Sequence, residues 1–304
     1  MFRYRAFGLT ITSELPLELP ADQARVGASA EAGTGELCIR RGRVAPVDDL
    51  PLRLGSIRYG SLPGRIQVEV PWAARYLAED GRLITVDVEP DATDSMVSTY
   101  ITGFLLLFIL DAAGALLLHG SAVSHQGQAL LFCGVRGAGK STLAGALARR
   151  GCPVLCDDAI PLRDGPLALP GIPSLKLLPD AYGRLVGSPD KDQPPSDGDG
   201  KYRAELGAVF DPLPLAGVYI LNPGGCTGLS IEALHGMAKI QALLANATNL
   251  GGSAASAGLF RKAVRILGKA RVYRVSRPEQ GDSLAALAEC VLNHIGEQID
   301  VPIL

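Results

Sequence analysis

The chain has 304 residues, enough for one large core or two modest ones, with 47% hydrophobic and 20% charged residues. A net charge of −2 and a pI near 6.1 give no basic surplus, and 5% aromatic residues leave little for base stacking. A nucleic-acid partner is therefore not expected.

The six cysteines (Cys38, Cys133, Cys152, Cys156, Cys226 and Cys290) are scattered. Cys152 and Cys156 have the spacing of a ligand pair, but no second Cys/His pair accompanies them, so buried reduced thiols are expected. The first residues, MFRYRAFGLTITSEL, contain no apolar core of signal-peptide length, which points to the cytoplasm.

Residues 1–92 are read as a β-rich N-terminal domain. The stretches "LCIRRGRV", "RIQVEV" and "RLITVDVEP" mix β-branched and polar residues near period two, separated by Gly, Pro and Asp. They carry no chemical constellation and suit a partner surface better than chemistry. Residues 93–304 form the second domain. A helix is predicted from near Asp94 to about Ala113. Asp111 and two glycines interrupt the apolar run Ile101–Leu118, which makes it a buried helix and not a membrane span. Strands follow at Leu116–Ser124 and Gln128–Cys133, joined by a turn at His125–Gly127.

Next comes "GVRGAGKSTL", Gly134–Leu143, which fits G-x-x-x-x-G-K-[ST]. Gly134, Gly137 and Gly139 permit the tight turn, and Val135, Arg136, Ala138 and Thr142 complete a cradle whose N–H groups face the phosphates of ATP. Lys140 reaches the β- and γ-phosphates, and the Ser141 hydroxyl coordinates Mg²⁺. A helix runs on to Gly151, and a strand "PVLCDD" is predicted to end at Asp157 and Asp158. Adjacent strand residues point to opposite sides, so the two acids can take different jobs. One suits the Mg²⁺ shell, and the other can accept the proton of an attacking hydroxyl. His119, in "LLLHGSAV", lies on a strand predicted to flank the loop.

Beyond this the pattern gives a strand or turn leading into a short helix in "IPSLKLLPDAYGRL", and an exposed loop over Gly187–Gly200. A buried strand "LAGVYILNP" follows, then a helix over "SIEALHGMAKIQALLAN" with Ser230 as N-cap. Arg261, Lys262, Arg265, Lys269, Arg271 and Arg274 form a basic segment, read first as a solvated face. A closing helix "DSLAALAECVLNHI" ends the pattern, and there is no internal repeat.

The order "HGSAV", strand, "GVRGAGKST", "LCDDAI" resembles the HPr kinase/phosphorylase family. His119 precedes Lys140 by 21 residues and Asp158 follows it by 18, in agreement with the family pattern. The resemblance implies an α/β P-loop kinase core related to phosphoenolpyruvate carboxykinase, behind a β-rich N-terminal domain. By it, His119, Lys140 and Asp158 carry over as active-site residues, with Asp158 the proton acceptor, and Ser141 as a magnesium ligand. The family's Glu metal ligand and Arg-Gly-rich signature are missing from "PGIPSLKLLPDA", so Asp157 is expected to take more of the metal. The family's phosphorylase activity depends partly on that missing region. Lys201 or Arg203, with Lys176 as a further option, would supply a later cation near the phosphates.

The chain looks closer still to the lasso-peptide precursor kinases, through "YRAFGLTITSELPL", "HGSAV" and "CDD". These phosphorylate a serine, typically at a precursor's C-terminus, and by that likeness the basic segment would attract a peptide carboxylate. ATP and Mg²⁺ are then the cofactors, and the partner is a precursor peptide or small carrier protein bearing a serine, without membrane involvement. The hexamers among the family's larger members make a homo-oligomer the corresponding expectation. Two other readings remain open from the residues. A small-molecule kinase also places a carboxylate after the P-loop helix, but would start at the P-loop strand. A non-enzymatic ATP-binding switch would need no base and would leave His119 and Asp158 unused.

Overall fold

Period-two alternation builds the first part of the chain. In β6 (Arg65–Val70) Ile66, Val68 and Val70 are buried, and in β7 (Ala74–Glu79) Ala74, Tyr76 and Ala78 are, so the two strands bury one face. The structure is a computed structural model that describes residues 1–19, 35–47, 50–62, 64–189, 195, 200–224, 228–248, 250, 256–268, 270–278 and 283–299. It divides into two compact units, Met1–Ala115 with Asn249–Ala257, and Leu116–Thr248 with Gly258–Leu304.

In the first unit the remaining strands are β1 (Phe2–Ala6), β2 (Leu9–Ser13), β3 (Glu36–Arg41), β4 (Leu52–Leu54), β5 (Ile57–Leu62) and β8 (Leu83–Val88). They form an eight-stranded sheet in the order β1-β2-β3-β8-β7-β6-β5-β4, parallel only at β2–β3 and β3–β8. Thr93 caps α1 (Asp94–Tyr100), whose Met96 N–H donates to its hydroxyl at 3.3 Å. The helix continues through one π turn at Ile101–Leu105 into α2 (Leu106–Ala112). Its buried residues include Val97, Ile101, Leu105 and Leu110, and the Tyr59 ring meets Phe104 and Phe108 edge-on at 5.3 Å each. This helix packs with the N-terminal sheet, so the first unit runs past the 92–93 boundary to Ala115.

The second unit is mixed α/β. Its strands are β9 (Leu116–His125), β10 (Gln128–Gly134), β11 (Val154–Arg163), β12 (Leu167–Ala168), β13 (Leu175–Leu177), β14 (Tyr202–Ala204), β15 (Leu213–Pro223), β16 (Ser230–Ala233) and β17 (Val272–Arg277). Its helices are α3 (Lys140–Ala148), α4 (Pro179–Leu185), α5 (Gly236–Ala245), α6 (Ser256–Leu267) and α7 (Leu284–Ile299). The main sheet has the order β10-β9-β11-β12-β15-β17-β16, and β10 also pairs with β15, so the pairings close a ring. β13 and β14 form a separate pair. Strands β10, β15 and β17 run parallel, with Gly134 opposite Leu221 and Pro223 opposite Arg277. Their carboxyl ends therefore meet at one place, where open α/β sheets bind ligands. Beneath, Phe132, Leu143, Leu147, Tyr219, Leu287 and Val291 share one core.

Two expectations need correction. The strand predicted to stop at Asp157–Asp158 continues to Arg163, because Asp157 to Leu162 keep pairing with Ser121 to Leu116 of β9. Nor does Ser230 cap a helix. Ser230–Ala233 pairs antiparallel with Ser276–Tyr273 along the outer side of β17, and the helix starts at Gly236 with His235 as N-cap. Most of the Gly187–Gly200 loop, with Cys226 and Lys269, lies outside the described residues.

Candidate active site

The hairpin β9–β10 and the strand β11 assemble the site. Register places Ser121 opposite Asp157 and Gly120 opposite Asp158. Gly120 is required there, since a Cβ would come within 2.4 Å of the Phe132 carbonyl oxygen. At the end of β10 the chain turns through Gly134 (φ 141°), Gly137 (φ 82°) and Gly139 (φ 89°) into α3. A Cβ on Gly134 would meet the Leu221 carbonyl oxygen at 2.6 Å, so this turn can be made only by glycine.

Three side chains meet under the N-terminus of α3. Ser121 Oγ donates to Asp157 Oδ1 at 2.6 Å, and Ser141 Oγ donates to the same oxygen at 3.0 Å. The two hydroxyl oxygens lie 3.3 Å apart. The second Asp157 oxygen accepts the Lys176 backbone N–H at 2.9 Å. Burial, then the neighbouring Asp158 charge, pushes the Asp157 pKa up against these hydrogen bonds. Two hydroxyls and a carboxylate are oxygen donors of the kind that a hard divalent cation takes.

Asp158 sits beside them with a left-handed backbone (φ 68°), a conformation that costs a non-glycine residue about 1–3 kcal/mol. Its carbonyl oxygen lies 2.8 Å from His119 Nδ1. A carbonyl only accepts, so Nδ1 carries the proton and Nε2 of a neutral ring is left as an acceptor. The Asp158 carboxylate, 45% exposed, pairs through Oδ2 with the Lys176 ammonium at 2.6 Å.

Lys140 is buried, and its ammonium donates to the carbonyls of Gly134 at 2.9 Å and Val135 at 3.1 Å. Burial lowers its pKa, while the Asp157 and Asp158 charges oppose that shift and the Lys201 charge adds to it. Burial also raises the Cys133 thiol to about 12, leaving it protonated beside the lysine.

His119, Lys140, Ser141, Asp157 and Asp158 are thus brought together. Arg203 stands opposite Lys176 in the β13–β14 pair. Val135, Arg136 and Gly137 are exposed on the loop, Ala138 is buried, and Thr142 is half-buried in the first turn of α3. The basic segment is spread over several places: Arg265 pairs with Asp164 at 2.9 Å, whereas Arg274 lines a cleft with His119. Two further residues support the cluster. Lys176 holds both aspartates, one through its backbone and one through its ammonium. Asn246 carries no motif signal; its Oδ1 accepts the Gly134 N–H at 2.7 Å, and its own carbonyl accepts the His119 N–H at 2.7 Å. As the C-cap of α5 it signals only a helix end in the sequence.

No protein-family model and no curated protein sequence matches the chain. Among solved structures it aligns with the HPr(Ser) kinase/phosphatase from Coxiella burnetii, at 14% sequence identity and a TM-score of 0.32. The match covers 60% of this chain and 92% of that one. A TM-score of this size leaves fold and function to rest on the chain's own residues.

Proposed function

We propose that the chain is a kinase that transfers the γ-phosphate of ATP to the hydroxyl of a serine in a peptide or small carrier protein. The observation that carries this reading is the cluster at the end of the glycine turn. Ser121, Ser141 and Asp157 share one oxygen-lined position, and Asp158 stands next to it on a left-handed backbone held by His119. A cluster built only to stabilise the fold would not need a second carboxylate in a strained conformation.

Ser141 and Asp157 would hold Mg²⁺, with Ser121 orienting the carboxylate. The donor set fits: it is all oxygen, a carboxylate and a hydroxyl that already meet at one point. Bound there, the metal supplies neutralisation of charge on the β- and γ-phosphate oxygens. Lys140 exchanges its two loop carbonyls for phosphate oxygens. Asp158 accepts the serine proton as the serine oxygen bonds to the γ-phosphorus and the bond from that phosphorus to the β–γ bridging oxygen breaks, leaving ADP. Lys176 fixes Oδ2 of Asp158, so Oδ1 is the oxygen left for the acceptor.

A cleft of about 640 Å³ beside the loop, lined by His119, Val135, Arg136, Asn222, Arg274 and Asn246 among others, gives room for a peptide. The likeness of "HGSAV" and "CDD" to peptide kinases favours a peptide serine, at a lasso-type precursor's C-terminus, over a carrier-protein serine. The test is mass spectrometry after incubation with Mg-ATP and paired peptides ending in serine or alanine, with a carrier protein alongside. Phosphorylation of the serine peptide alone supports the reading. Phosphorylation of free small-molecule hydroxyls, with peptides and carrier untouched, overturns the acceptor class.

A further inference from the structure

A groove of about 870 Å³ lies between α5 and α6, wholly within the second unit. Its walls are two facing apolar stripes. Met237 and Ile240 stand three residues apart on α5, and Phe260 and Val264 stand four apart on α6, so each pair shares one helix face. Val272 of β17 and Leu234, both buried, lie on the lining between them. Packed helices close such stripes on each other at about 8–10 Å. Here Met237, Phe260 and Val264 stay 63%, 42% and 43% exposed. The Lys239 ammonium donates to the Gly268 carbonyl at 2.8 Å and ties α5 to the end of α6. Arg271 is a second cation on the lining.

The groove adjoins the cleft beside the glycine turn, because Leu234 lines both. Helix α5 is a wall of both as well, with Met237 and Ile240 toward the groove and Ala242, Ala245 and Asn246 toward the cleft. Strand register measures the distance to the proposed chemistry. Asp158, Gly120, Cys133, Ile220 and Arg274 are successive cross-strand partners on β11, β9, β10, β15 and β17. Four spacings of about 4.8 Å put Arg274 about 19 Å along this row from Asp158. An extended chain covers that in about six residues, at roughly 3.3 Å each.

We infer that this groove docks the upstream segment of the acceptor peptide, through a large apolar side chain with acidic neighbours, about six or more residues before the phosphorylated serine. The inference rests on the peptide-serine reading of the site. Continuity selects this occupant: a peptide whose serine reaches Asp158 and whose chain crosses the cleft to Arg274 arrives at Leu234 and the groove. Charge agrees with it, since Arg136 and Arg274 line the cleft and Lys239 and Arg271 line the groove. The exposed stripes give the anchor its apolar contact, away from the reacting bond.

The test is steady-state phosphorylation, with Mg-ATP, of acidic peptides that end in serine. They carry a single Phe about eight residues upstream, a single Phe about two residues upstream, or none. Wild-type protein is compared with Met237→Glu and Val264→Glu, whose exposed positions should leave the fold intact. The distant Phe should lower the peptide KM about tenfold in wild-type protein with kcat unchanged, and the near Phe should not. Both variants should abolish the advantage while KM for ATP stays the same. Equal KM for the three peptides, or an advantage that persists in the folded variants, overturns the docking site and spares the serine-kinase reading. Sedimentation runs alongside: a dimer formed by wild-type protein and lost in Val264→Glu, with peptide kinetics alike in both, assigns the groove to a second copy and overturns the proposal. No labelling of any peptide by protein that binds ATP overturns the peptide-acceptor reading and the docking site together.

Discussion

Asp158 takes a left-handed backbone in the middle of a strand, where its neighbours keep ordinary ladder pairing. The conformation turns its carbonyl to His119 and its carboxylate to Lys176, so one strained residue touches both. Removing Lys176 should misplace the carboxylate without unfolding the strand. Lys176→Ala is expected to lower kcat for phosphate transfer at least tenfold with ATP affinity nearly unchanged, as measured by steady-state kinetics and calorimetry. Gly120, opposite Asp158, has the reverse character: its importance is space. Gly120→Ala would force a methyl onto the Phe132 carbonyl oxygen and is expected to destabilise the second unit by about 1–3 kcal/mol, measurable by denaturant unfolding.

Among the elements, α7 offers a test that is independent of the proposed chemistry. His294 packs edge-on against Tyr273 at 4.5 Å, and its Nδ1 lies 3.2 Å from the Tyr219 hydroxyl. Burial lowers its pKa below the usual 6.5. A depressed histidine contributes stability that is present above the unfolded value and lost as pH falls towards the folded one. Melting temperature should therefore decline below about pH 6.5, and His294→Gln should flatten that part of the profile. The elements that the sequence predicts well are those with local signals: the β9–β10 hairpin, the glycine turn and α3 all follow from adjacent residues. The continuation of β11 was hidden because Pro161 reads as a strand breaker, yet it pairs with Leu117. β16 looked helical because four residues cannot display a period. Asn246 reaches Gly134 from 112 residues away, and no local pattern encodes that contact. The candidate site's residues carry motif signals; their supports do not, because those are fixed by sheet order.

At the scale of the molecule, the proposed chemistry lies wholly in the second unit. Ligand binding stabilises what it binds by mass action, about 2.7 kcal/mol at a hundred times Kd. Mg-ATP should therefore slow hydrogen exchange around Gly134–Thr142 and at Ser121 and Asp157, and leave strands β5–β7 of the first unit unchanged. Equal protection in both units would contradict this assignment. The most direct measurement is transfer from γ-labelled ATP to a serine peptide by wild-type protein and by Asp158→Asn. Asparagine tolerates the left-handed backbone, so the variant should fold and bind ATP within a few-fold of wild type. The expected result is labelled serine with wild-type protein and a loss of about 10²–10⁴-fold with the variant. Transfer by Asp158→Asn at the wild-type rate would contradict the role given to Asp158.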